Sequence, residues 1–192
     1  GILLFARNQV AAARLQKQRE EGKLQKKYLA LAEGDLSEAN DSVFWKEIAI
    51  PLAPDPENSM KMTISPDGLL PGSRNAVTYY KNIKSFGNVT LVELQLETGR
   101  THQIRVHMAG IGHPLLGDTM YNPRVCLKMS NSKEKKNTEG RINNRNDCFK
   151  RAALHAWKLT FCHPFTDEII TLEAPLPDDF CRFLNANEEE KT

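Results

Sequence analysis

Along most of the chain, apolar and polar positions alternate with a period of two, the spacing of half-buried strands. Over 24–33, Leu29 and Leu31 fall on one side and Tyr28, Ala30 and Ala32 on the other, so both faces of this strand are to be covered. Residues 44–50 alternate as well, with Phe44, Ile48 and Ile50 on one face and Trp45 and Ala49 on the other. Residues 76–83 and 89–96 predict a hairpin, in which Val92, Leu94 and Leu96 share a face and Phe86-Gly87-Asn88 supplies the turn. Two more strands are expected at 153–161 and 168–173, joined through His163-Pro164-Phe165. The opening Gly1-Ile2-Leu3-Leu4-Phe5-Ala6 reads as a buried strand.

Helical spacing is rarer. Asn8 is placed to cap a helix over 9–21, whose narrow apolar stripe of Ala11 and Leu15 is surrounded by Arg and Lys, with Gly22 as its stop. A second helix of about two turns is expected after Gly99, with Thr101 as cap and Gly110 and Gly112 as terminators. A third is expected over 178–184, followed by a frayed acidic tail from 185 to 192. Residues 51–72 are rich in Pro, Asp, Ser and Gly and predict a long connection or hairpin. Residues 131–146 offer only Ile142 for burial, which predicts a mobile insertion within about 122–150. The fold class is α+β, a mainly antiparallel sheet with a few short helices in one domain over 1–184.

Composition adds bounds. Hydrophobic content of 40% and charged content of 26% are those of a globular chain. The net charge of +2 hides two basic zones: Arg14, Lys17, Arg19, Lys23, Lys26 and Lys27 in the first, and Lys133 to Arg151 in the second. Charge alone leaves open whether these meet a phosphate-rich partner or water. Cys126, Cys148, Cys162 and Cys181 form no CxxC pair, which argues against a zinc ribbon and fits a reducing, intracellular setting. No apolar run approaches the ~18 residues of a membrane span. The chain lacks an initiator Met, so it is expected to start inside a longer polypeptide.

The chemistry concentrates in 97–118, where Arg100, His102, Arg105, His107 and His113 surround one short apolar run. Helical spacing puts His102 and Arg105 on one face. Such a helix is either a site wall whose cations meet anions or a surface helix with solvated charges. No GxSxG, GxGxxG or GxxxxGK[ST] pattern is present. The five histidines raise a metal-hydrolase reading, but no HExxH or HxxE spacing supports it. His163 fits a turn, and His155 fits a core or near-site position. Tyr28, beside Ala30 and Ala32, leaves room for a planar ring to stack or for its hydroxyl to meet a substrate; without further context the residue reads first as an ordinary half-buried strand tyrosine.

Thr98-Gly99-Arg100-Thr101-His102-Gln103-Ile104-Arg105-Val106-His107-Met108, followed by Gly112-His113-Pro114-Leu115-Leu116-Gly117-Asp118 and Tyr121, closely resembles the signature of the RluA-type pseudouridine synthases. The opening Gly1 to Arg7, Lys26-Lys27-Tyr28-Leu29-Ala30-Leu31, and Ala153-Leu154-His155-Ala156 with His163-Pro164 and Ala174-Pro175 are similar to family segments in the same order. The resemblance implies the pseudouridine synthase catalytic fold and an enzyme isomerising uridine in structured RNA by base flipping, with neither cofactor nor metal. It implies that Arg105 orients and ionises a nucleophilic aspartate, and that Tyr28 lies beside the flipped base. Arg100, His102, Lys26 and Lys27 become candidate phosphate or base contacts, and Leu154 part of the apolar pocket wall.

The family's aspartate belongs to a loop that ends where Gly1 stands, so it is expected upstream of this chain, leaving Arg105 as half of an ion pair. Asp118 matches a different family position, expected to be structural. The expected partner is ribosomal or transfer RNA, met by a monomer with no membrane or metal. The alternatives are a non-catalytic RNA-binding relative of the family and a metal hydrolase.

Overall fold

The computed structural model describes residues 1–36, 44–124 and 149–188. Its frame is a six-stranded sheet in the order β2-β5-β6-β1-β7-β8, every neighbouring pair antiparallel. The strands are β1 (Gln25–Glu33), β2 (Lys46–Ala49), β5 (Val77–Ser85), β6 (Val89–Leu96), β7 (Leu154–Cys162) and β8 (Ile169–Glu173). The Pro-rich connection is a hairpin of β3 (Leu52–Pro54) and β4 (Met62–Ile64), forming a separate two-stranded sheet. Among the described residues three helices accompany them: α1 (Gln9–Glu20), α2 (Gln103–Gly110) and α3 (Asp178–Glu188).

The alternation read in β1 is what the sheet uses. Ala30 and Ala32, with Val92 and Leu94 of β6, face Ile104 and Met108 of α2, and Tyr28 and Leu154 pack at the margin of that cluster. Leu29 and Leu31 point the other way, into a cluster with Leu91, Phe180 and Phe183 that docks α3. One strand buried on both faces thus separates two cores.

Asn8 caps α1 as its residue type predicts, accepting from Ala11 N–H at 2.8 Å. The helix is bound to the end of β7 by one side-chain amide. Gln18 donates to Cys162 O at 2.8 Å and accepts from Cys162 N at 2.9 Å, a neighbour's hydrogen bonding performed by a side chain.

Several expectations need correction. Residues 1–6 are not a buried strand. Ile2 N–H bonds Ala156 O at 2.8 Å and Ile2 and Leu4 are half-buried, but Leu3 and Phe5 are each 79% exposed. Phe44 is exposed as well, since β2 begins only at Lys46. Thr101 does not cap α2. The N-cap is His102, in the left-handed region at φ 55° with no side-chain cap bond. Gln103, 2% exposed, ties this end down instead: its Oε1 accepts from Arg100 N and Thr98 Oγ1, and its Nε2 donates to Val77 O and Thr78 Oγ1. The final helix continues past 184 to Glu188, with Asn187 bonding back to Phe183 O at 2.7 Å, so the supposed tail is helical at its start. The mobile insertion expected within about 122–150 does not include Asn122, which is fully buried between Glu33 and Leu115 O. Residues 125–148, where the rest of that expectation falls, lie outside the described residues.

Candidate active site

After α2 the chain runs back along β1, with Leu116 N bonded to Leu31 O and Glu33 N to Pro114 O. Gly117 then turns at φ +66°, where an added Cβ would lie 2.4 Å from Arg151 O and 2.6 Å from the Phe149 Cβ. Both the conformation and the space demand glycine. This turn delivers Asp118, fully buried, against Arg105.

Arg105 Nε donates to Asp118 Oδ2 and Nη2 to Oδ1, each at 2.7 Å. Oδ1 also accepts from Met120 N at 2.9 Å and Tyr121 N at 3.1 Å. Burial opposes ionisation of Asp118, yet the Arg105 fork and the two amides outweigh it and hold the carboxyl below its ordinary value. Arg105 is therefore not left as half of an ion pair within this chain: Asp118, brought in by the Gly117 turn, is its partner here. The sequence signal was present in Leu116-Gly117-Asp118, but a spacing of thirteen along the chain gives no hint of contact.

Tyr121 completes the surroundings. Its ring centroid lies 4.9 Å from the Arg105 guanidinium carbon. Its hydroxyl accepts from Met62 N at 2.9 Å and lies 2.8 Å from His102 Nδ1. Burial first, then the Arg105 charge, lowers the His102 pKa, so the ring is neutral at pH 7. The Tyr121 proton is then best placed on that bond, with the His102 proton on Nε2.

Tyr28 lies elsewhere, in the wall of a cleft of about 610 Å³ between α1, the start of β1 and the end of β6. Lys26, Arg19 and Arg100 line the same cleft and make it basic. Burial pushes the Tyr28 hydroxyl up, with Arg19 opposing, so the phenol stays protonated at neutral pH. Arg19 donates to Gly99 O at 3.2 Å and Arg100 Nε to Asn75 O at 3.0 Å, which fixes both cations at the rim. Tyr79 and Glu97, which sequence reading did not single out, also line the cleft, joined by a 2.6 Å hydrogen bond. Their separation by eighteen residues hides the pair, which exists because β5 and β6 are neighbours.

The candidate residues therefore fall into three places. Tyr28, Lys26 and Arg100 share the cleft. Arg105 and His102 share the Tyr121 ring, and no hydrogen bond or ion pair among the described residues joins them to Tyr28. Leu154 and Tyr28 pack against the same cluster as α2, which links the two groups through the core. Lys27 belongs to the opposite face, paired at 3.0 Å with Glu93. Of the basic residues in and just after α1, Arg14 donates to Pro164 O, and Lys17 and Lys23 pair with Glu21.

The histidines serve structural bonds. His107 is buried between Thr78 Oγ1 and Ile50 O, His113 bonds Glu33 O, and His163 closes a turn through Thr166. Among the described residues, no three His, Cys, Asp or Glu side chains gather as metal ligands, and no helix is long and apolar enough to cross a membrane.

Comparison with known proteins fits this geometry. A family model described as RNA pseudouridylate synthase matches residues 1–110. The RNA pseudouridine synthase YlyB of Bacillus subtilis is 37% identical over 184 residues, covering 96% of this chain and 51% of its own length. Ribosomal large subunit pseudouridine synthase D of Haemophilus influenzae is 37% identical over 186 residues, covering 97% of this chain and 52% of its own. The chain thus spans about half the length of these curated relatives. Among solved structures, human RNA pseudouridylate synthase domain containing 1 aligns with a TM-score of 0.63 at 26% identity, over 90% of this chain and 62% of its own. Human RNA pseudouridylate synthase domain containing 4 shares the fold, with a TM-score of 0.67 at 24% identity over 94% of this chain and 69% of its own. The chain belongs to the RNA pseudouridylate synthase family, on its RluA-type branch.

Proposed function

We propose that this protein isomerises uridine to pseudouridine in RNA inside the cell, with Tyr28 and Arg105 as its catalytic residues. The observation that carries the reading is the basic cleft walled by Tyr28, in a chain whose family arginine is held ready by a buried carboxylate. Flipping a base into such a cleft costs a few kcal/mol, offset by stacking and edge contacts. A protonated, half-buried Tyr28 suits stacking or hydrogen-bond donation better than phenolate chemistry. Lys26, Arg19 and Arg100 suit the phosphates on either side, so affinity should fall with salt. Lys27 and His102 remain candidate RNA contacts, and Leu154 a candidate pocket wall.

The reaction breaks the bond from the ribose C1′ to N1, turns the uracil, and joins C1′ to C5, whose proton then leaves while the freed N1 takes one up. The reading assigns the nucleophilic carboxylate to sequence outside Gly1–Thr192. The three buried carboxylates described here are all engaged: Asp118 with Arg105, Glu93 with Lys27 and Lys81, and Glu33 with Asn122 and Arg124. The name of the Haemophilus influenzae relative favours large-subunit ribosomal RNA as substrate, with transfer RNA as the other choice.

Mass spectrometry of RNA incubated with the protein in its full natural sequence should find pseudouridine, whereas residues 1–192 alone should form none. Tight RNA binding without isomerisation by the full sequence would instead identify a non-catalytic relative. Pseudouridine from the 192 residues alone would place the nucleophile inside them.

A further inference from the structure

A guanidinium has five N–H donors in one plane. Asp118 takes two of them from the side, through Nε and Nη2. The edge formed by Nη1 and Nη2 is left, and Nη1 has no hydrogen-bond partner among the described residues. The side chain of Arg105 is 20% exposed while that of Asp118 is fully enclosed. The pair therefore has an inner, closed half and an outer, open half.

The inner half is over-determined. Asp118 is itself oriented by the Met120 and Tyr121 amides, so the carboxylate cannot turn without breaking backbone bonds. The guanidinium carbon lies over the Tyr121 ring, 4.9 Å from its centroid, and the Tyr121 hydroxyl is held by Met62 N and His102 Nδ1. His102 sits at φ 55°, a conformation disfavoured for a residue other than glycine and kept only where the surroundings impose it. A salt bridge needed for stability alone requires none of this orientation around the ring.

We infer that Asp118 and Tyr121 are positioning residues, which hold the Arg105 guanidinium by its Nε edge and against the Tyr121 ring so that its Nη1–Nη2 edge meets the reacting carboxylate in a fixed plane. This rests on the proposed isomerisation and adds a division of labour to it. Asp118 touches neither substrate nor reacting atoms and acts through Arg105. Tyr121 acts the same way, and His102 with Met62 sets the angle of the Tyr121 ring.

The test uses the protein with its full natural sequence, acting on a uridine-bearing RNA. For Asp118→Asn, kcat should fall at least tenfold with KM for RNA within about twofold. The acid limb of the kcat profile should also move to higher pH, because a guanidinium free to turn no longer keeps the reacting carboxylate ionised. A merely structural Asp118 scales kcat equally at every pH; an unmoved limb or an unchanged kcat overturns the inference. Tyr121→Leu keeps the ion pair and removes the lid. It should lower kcat about threefold to tenfold and shift the limb the same way, and no change in either overturns the inference even if Asp118→Asn fails to fold. Nitrogen NMR reads the clamp without turnover. Wild-type Arg105 should show two resolved Nη signals, merging in Tyr121→Leu, and one averaged wild-type signal overturns the clamp. A folded wild-type protein that forms no pseudouridine overturns the proposed reaction instead, and the NMR result still decides the clamp.

Discussion

Two buried carboxylates on opposite sides of the sheet meet their cations in different ways. Asp118, fully enclosed on the α2 side, holds one arginine by two 2.7 Å bonds and is itself held by two backbone amides. Glu93, its side chain 7% exposed on the α3 side, meets Lys27 at 3.0 Å and Lys81 at 2.7 Å. Both ammonium groups also lie over the Trp45 ring, at 5.6 and 5.0 Å, and both lysine side chains reach solvent. In each case burial resists ionisation and the cations overcome it, so both carboxyls sit below their ordinary values. The charge balance is similar but the geometry is not. Two ammonium groups on flexible stems neutralise Glu93 without orienting anything, whereas a planar fork against a backbone-held carboxylate fixes a direction. Only the second arrangement is useful to chemistry that needs a cation at a set angle.

The comparison breaks most sharply at Asp118. Asp118→Ala leaves a largely buried guanidinium facing nothing and should cost about 3 kcal/mol in urea denaturation. Loss of less than about 1 kcal/mol would mean that Arg105 swings out to water as easily as a lysine. Next is Arg105→Lys in the protein of full natural sequence, which keeps the charge and loses the plane. Its isomerisation rate should fall at least tenfold, about 1.4 kcal/mol, and an unchanged rate removes Arg105 from the mechanism. Glu93→Gln should cost only about 1 kcal/mol, because Lys27 and Lys81 can turn to solvent. Matching losses at Glu93 and Asp118 would erase the distinction.

Acid gives the mildest test. His102, His107 and His155 are kept neutral chiefly by burial, so their folded-state pKa values lie below those of the unfolded chain. The unfolded chain then binds more protons, and stability should begin to fall as the pH drops below about 6.5. Asp118 and Glu93 have the opposite charge but the same sign of shift. Their contribution is complete above the ordinary carboxylate range near pH 4 and disappears as the pH passes down through their lowered values. Urea midpoints measured from pH 7.5 to 3 should fall in two stages, and a flat line between 7 and 5 would contradict the neutral histidines.

Much of this was legible because it depends on local spacing. The two faces of β1, the hairpin turn at Phe86-Gly87-Asn88 and the Asn8 cap follow from alternation and residue type alone. What escaped was set by tertiary placement. Thr101 is a good cap by composition, but buried Gln103 can satisfy four groups at once and takes over that end of α2. Leu3 and Phe5 read as core, yet only alternate residues of that segment turn inward. At the site, the motif pointed to Arg105 and Tyr28, while the Arg105–Asp118 contact depends on a return path along β1 and a turn at Gly117 that no periodicity reports. Lys26 and Lys27 look equivalent in the sequence and end on opposite faces, one in the cleft and one beneath Trp45.

The amide of Gln18 carries a mechanical consequence. With Arg14 reaching Pro164 O and Arg19 reaching Gly99 O, it makes α1 a crossbeam anchored on the β7–β8 turn and on the loop after β6. A beam fastened at both supports cannot hinge outward without detaching from one of them. The width of the Tyr28 cleft is thereby set in the free protein, and on the proposed reading little ordering is left to be done when RNA binds.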